Sequence, residues 1–180
     1  MTDAMIGLVA LPLAGALATL LLPRSATAVA IGTGLATTVA AGLLLFGVAT
    51  QGALHYEIGG WSAGLGIALR ADGLSALLLM MTALVALAAS IYASAYFNAA
   101  SERARFWPLW LLLWTALNAL LLSGDLFNLY VTLELLGLSA VALASLGGKQ
   151  AAVAAALHEL VRGRVMLEGA GARGIQPAPG

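Results

Sequence analysis

The chain has 180 residues, 62% of them apolar and only 9% Asp, Glu, Lys or Arg, where ordinary globular domains carry about 25% charged residues. Eight basic and eight acidic residues cancel, so no net field draws in nucleic acid or an acidic substrate. The absence of cysteine removes disulfides, thiolate metal sites and Cys catalysis, and with only two His neither a metal nor a cofactor is expected.

Crossing about 30 Å of hydrocarbon takes roughly 20 apolar residues. Runs of that kind lie at Met5–Leu22, Ala26–Ala49, Leu74–Phe97, Trp107–Ser123 and Leu126–Gly147. The first contains Pro12, which deletes one backbone donor and frees a carbonyl for a neighbouring helix to satisfy. A cleaved signal peptide is the rival reading, encouraged by Ala26-Thr27-Ala28. Asp3, with no Lys or Arg before the run, is the wrong charge for it.

Between the second and third runs lies the loop Gln51–Gly73. Its halves, Leu54-His55-Tyr56-Glu57-Ile58 and Ile67-Ala68-Leu69-Arg70, alternate as extended chain does, and glycines 59, 60, 64 and 66 supply a turn, so a short hairpin is expected. His55 with Glu57 suggests a metal or proton site, but the favoured reading is plain wet surface. A sixth run, Ala151–Val161, meets His158, Glu159, Arg162 and Arg164 before it spans, and residues 162–180 carry no apolar period and are expected to be disordered. The fold class is therefore all-α: a polytopic transmembrane bundle over residues 1–161, with about five spanning helices, a partial sixth and one extended hairpin.

Basic residues in short loops stay on the cytoplasmic side. Arg24, Arg103, Arg105 and Lys149 all fall on one side, while Asp3, the long loop and Asp125 fall on the other. This orientation puts the amino terminus outside, in a bacterial-type inner membrane. Trp61, Tyr96, Phe97, Phe106 and Trp107 sit near run ends, where aromatic rings favour the interface.

The fifth run holds Glu134, eight residues from Leu126, roughly 12 Å deep at 1.5 Å per residue. An acidic residue at a helix centre costs roughly 2.5–3.5 kcal/mol on insertion scales, and an intramembrane carboxyl is by default a functional candidate. Two uses compete, a proton relay and an interhelical hydrogen-bond donor that scaffolds a larger complex. Tyr130 lies four residues back on the same helix face. The tight turn at Gly124-Asp125 suggests an antiparallel pair of fourth and fifth helices, which puts Thr115 and Asn118 at comparable depth. No intramembrane Lys or Arg accompanies Glu134 in this sequence.

The stretch from Ser123-Gly124-Asp125-Leu126-Phe127-Asn128-Leu129-Tyr130 through Glu134, with Ser139 and Gly147-Gly148 after it, resembles the fifth helix of antiporter-like membrane subunits. These are shared by Mrp-type multisubunit cation/proton antiporters and respiratory complex I. Gly59-Gly60-Trp61, Gly66-Ile67 and Asp72-Gly73-Leu74-Ser75-Ala76 are similar to the same family in the same order, and the wording Gly-Asp-Leu-Phe-Asn-Leu is nearest the D-like Mrp subunit. The resemblance covers about residues 5–160. It implies that Glu134 is the family's fifth-helix glutamate, which takes part in moving protons and pairs with a lysine on a seventh helix. It also implies partners among other membrane subunits and the lipid bilayer. The residues from Arg162 do not continue the family pattern, so the expectation is a partial member of that family, truncated, frameshifted or split.

Overall fold

A computed structural model describes residues 2–57 and 67–146. It contains five long helices, α1 (Thr2–Leu21), α2 (Ala26–Gln51), α3 (Gly73–Tyr96), α4 (Ala100–Leu121) and α5 (Leu126–Ser145), with a 3₁₀ turn at Pro23–Ser25. All five are long and apolar enough to cross a membrane. A compact unit, Met1–Ala140, holds α1 to α4, the hairpin and most of α5; of the second unit, Val141–Gly180, residues 141–146 are described and carry the end of α5. The expected sixth run, the tail 162–180, Lys149, Trp61 and the turn glycines fall outside the described residues.

Within the first unit α1 packs on α2 and α4, and α2 packs on α3. Small residues allow the close approaches. A Cβ added at Gly15 would stand 2.6 Å from the Thr33 hydroxyl oxygen, and one at Gly34 would stand 3.3 Å from the Trp114 ring. Large apolar side chains such as Leu21, Val39, Phe46 and Val85 are exposed on the outside, as lipid-facing surfaces require.

Pro12 does not end α1. Its missing N–H leaves the Leu8 carbonyl, one turn back, without a helical partner. Asn118 of α4 supplies the donor, its Nδ2 standing 2.7 Å from Leu8 O inside the buried core. The expectation that a neighbouring helix satisfies this carbonyl is met.

The fourth span differs most from its expected bounds, since α4 begins at Ala100 rather than at Trp107. Ser101-Glu102-Arg103-Ala104-Arg105 is polar but helix-compatible, with Glu102 in the positive first turn. Hydropathy marks where a helix meets lipid, and the helix itself runs on beyond that point. Trp107, expected near a run end, does not present its ring to the surroundings. It is fully buried and donates from Nε1 to Thr27 Oγ1 at 3.0 Å. Around it, Tyr96, Phe97, Phe106 and Trp110 form a chain of ring contacts at the α3–α4 corner. Trp110 Nε1 donates to Ser90 Oγ at 2.8 Å.

The loop forms the expected hairpin, β1 (Leu54–Glu57) antiparallel to β2 (Ala68–Ala71), with His55 opposite Arg70. His55 and Glu57 are exposed, and no three metal-ligating side chains gather among the described residues. After β2, Asp72 caps α3. Its Oδ1 accepts the Ser75 N–H at 2.9 Å, and Ser75 Oγ accepts the Asp72 N–H at 2.8 Å. The Ser75 backbone bond is the main cause that holds the Asp72 carboxyl below its ordinary value; desolvation opposes it, and the Ser75 hydroxyl and Arg70 reinforce it. A depressed folded value means the cap stabilises above the ordinary value of 3.8 and fades as pH falls through the lower, folded one. Hydrogen exchange of the Ser75 N–H is expected to show full protection above pH 3.8 and progressive loss in stronger acid.

Candidate functional site

α5 carries its polar groups on two opposed sides. Asn128, Thr132 and Ser139 are buried and fall on one stripe at 100° per residue. Thr132 Oγ1 donates to Asn128 O at 2.8 Å and Ser139 Oγ to Leu135 O at 2.7 Å, so both hydroxyls are satisfied within the helix. Glu134 lies six residues after Asn128, about 240° round the axis, and is half-buried, while Tyr130 beside it is exposed. The Tyr130 hydroxyl donates to Glu134 Oε1 at 3.0 Å across one turn.

Among the described residues Glu134 is the one ionisable Asp, Glu, Lys, Arg or His far from the ends of these helices. One helical turn away, a phenol hydroxyl donates to its carboxyl.

Of the expected companions, the fold joins only Tyr130 to Glu134. Thr115 and Asn118 are buried in the α1–α4 core, where Thr115 Oγ1 donates to Leu111 O at 2.8 Å and Asn118 serves Leu8. The antiparallel pairing of α4 with α5 does not form, because α4 spends its buried face on α1 and its neighbours while α5 diverges after the turn. A short turn fixes where two helices begin, and side-chain packing decides whether they stay together.

What sequence reasoning missed is the work of Asp125. Its Oδ1 accepts the Asn128 N–H at 2.7 Å, capping α5, and its Oδ2 accepts the Ala68 N–H at 3.1 Å, reaching β2. The cap was open to detection, since an Asp just before an apolar run is a helix-start signal. Its second bond depends on a residue 57 positions away.

Among the described residues, five apolar spans, a buried small-residue core and one mid-helix carboxyl define a multi-pass helical membrane protein. Within that class the chain is a homologue of the antiporter-like membrane subunits of Mrp-type antiporters and NADH-quinone oxidoreductases. It is 38% identical over 109 residues to the N-type subunit of NADH-quinone oxidoreductase from Desulforudis audaxviator, covering 59% of this chain and 22% of that protein. It is 33% identical over 123 residues to the D-type subunit of the Na(+)/H(+) antiporter from Bacillus subtilis, covering 68% of this chain and 25% of that one. Its fold matches a chain of the membrane-bound sulfane sulfur reductase, an archaeal respiratory membrane complex, with a TM-score of 0.77 and 25% identity over 89% of this chain and 34% of that chain. The chain thus spans about a quarter of the length of these curated relatives. No family model matches.

Proposed function

We propose that the chain is part of a proton-translocating, antiporter-like subunit in a multisubunit membrane complex, with Glu134 as its proton-carrying group. The carrying observation is a carboxyl about 12 Å along an apolar spanning helix, hydrogen-bonded by Tyr130 at 3.0 Å. The relatives named for Na(+)/H(+) antiport and quinone reduction support coupled movement of protons and a monovalent cation such as Na⁺. Other membrane subunits are its partners. Its place is a bacterial-type inner membrane with the amino terminus outside. This orientation is supported by Arg24, Arg103 and Arg105, which lie at one end of the bundle, opposite the hairpin and Asp125.

A proton path needs several titratable or hydrated groups from face to face, and Glu134 is one. The purified 180-residue chain alone in liposomes is therefore expected to carry no proton or sodium flux above that of empty vesicles. A pH-sensitive dye under an imposed sodium gradient checks this, and flux from the chain alone would show that the path is complete within it.

A further inference from the structure

The long loop and the α4–α5 turn are joined by backbone as well as by side chain. The edge of β2 that faces away from β1 pairs with the turn: the Arg70 N–H donates to Leu122 O at 2.8 Å and the Gly124 N–H to Ala68 O at 2.8 Å, with Leu69 opposite Ser123. Gly124 is needed for this approach, since a Cβ there would stand 2.9 Å from Ala68 O, a backbone atom that cannot rotate away. The free edge of β2 is thus bridged by the turn that leads straight into α5.

Asp125 closes the joint. One carboxylate oxygen takes the Asn128 N–H of α5 and the other the Ala68 N–H of β2, so a single side chain is bonded to both elements. A carboxylate suits this because both its oxygens accept; an amide of the same shape presents one acceptor and one donor. Asn128, Thr132 and Ser139 are buried along α5, with the Thr132 and Ser139 hydroxyls bonded within the helix. Its amino end has two backbone bonds and two carboxylate bonds.

From this geometry we infer that Asp125 is a positioning residue for Glu134. By bridging β2 to the first turn of α5, it fixes the rotation and depth at which the Tyr130–Glu134 pair is presented. This rests on the reading of Glu134 as the proton-carrying group. The displacement passes along a helix, which is stiff over the nine residues from Asp125 to Glu134.

The test uses the full chain in lipid nanodiscs, with the protonated carboxyl band of Glu134 followed by infrared titration and assigned by its loss in Glu134→Gln. Asp125→Ser keeps a cap for Asn128 but is too short to reach Ala68, and Asp125→Asn fills the same volume with one acceptor fewer. Either is expected to shift the Glu134 midpoint by more than about 0.5 pH unit and to lower the exchange protection of the Ala68 N–H by about tenfold or more. Asp72→Ala, which disturbs the cap on the other side of β2, is expected to leave the Glu134 midpoint in place. An unmoved midpoint with a deprotected Ala68 N–H would overturn the inference, as would unchanged Ala68 protection. Should Asp125→Ser fail to fold, Asp125→Asn is judged by the same outcomes. A Glu134 band that does not titrate in the wild type speaks against the proton-carrying reading instead. The joint is then judged by spin-label distances between Glu57→Cys and Leu138→Cys, the only thiols in a cysteine-free chain. A distribution that broadens in Asp125→Ser supports the joint, and an unchanged one overturns it.

Discussion

Replacing Glu134 by Gln in the assembled complex is expected to abolish coupled ion movement while leaving assembly intact. Gln keeps an oxygen where the Tyr130 hydroxyl donates at 3.0 Å, so the local hydrogen bond and the volume survive. What disappears is the capacity to take up and release a proton. Positioned proton transfer by a side chain is typically worth about 10²–10⁴-fold in rate, and a relay broken at Glu134 should lose at least that much. Glu134→Asp retains an acid but draws it back by one methylene from Tyr130, so partial activity is expected. Tyr130→Phe, which removes only the donor, should cost less than either loss of the acid. Antiport measured in everted vesicles, with subunit recovery measured in parallel, separates the outcomes. Full activity in Glu134→Gln would assign the residue to holding helices together in a scaffold.

The second large effect concerns α1. Asn118→Leu preserves size but leaves the Leu8 carbonyl without its donor in a buried core. Stranding such a group costs about 1–3 kcal/mol. The cause is Pro12, so the cost should vanish when Pro12→Ala restores the N–H that Leu8 lacks. In that background the sign is expected to turn, because Asn118 also holds a buried Oδ1 with no partner among the described residues, and Leu removes it. Unfolding in mixed micelles of the four proteins of the cycle gives the coupling directly. Equal costs of Asn118→Leu with Pro12 and with Ala at that position would mean that the bond in α1 does not matter.

Hydropathy and turn chemistry made the five spans and the two halves of the hairpin legible, because both are one-dimensional signals with periods that survive in any tertiary setting. The orphan carbonyl below Pro12 was legible too, being a consequence of one missing hydrogen. The i, i+4 meeting of Tyr130 and Glu134 follows from helix geometry alone. The identity of what packs against what was not. Asn118 and Thr115 are polar residues in an apolar span, and nothing in their spacing says whether they face α1 or α5. Trp107 reads as a ring near a run end, and nothing in its spacing says that Thr27, 80 residues away, accepts its N–H. The joint at Asp125 lay hidden for the same reason: its two partners, Ala68 and Asn128, come together only once the loop has folded back over the helix ends.

That joint also orders the biogenesis of the protein. β2 leaves the ribosome 57 residues ahead of Asp125, so while α4 is being inserted the hairpin is a bare two-stranded ribbon with one edge free. A free edge invites mispairing with other chains, and here it persists until the fourth span has crossed and its exit turn has docked. Only then is the amino end of α5 anchored, which makes the docking of the α4–α5 turn the event that closes the free edge of β2.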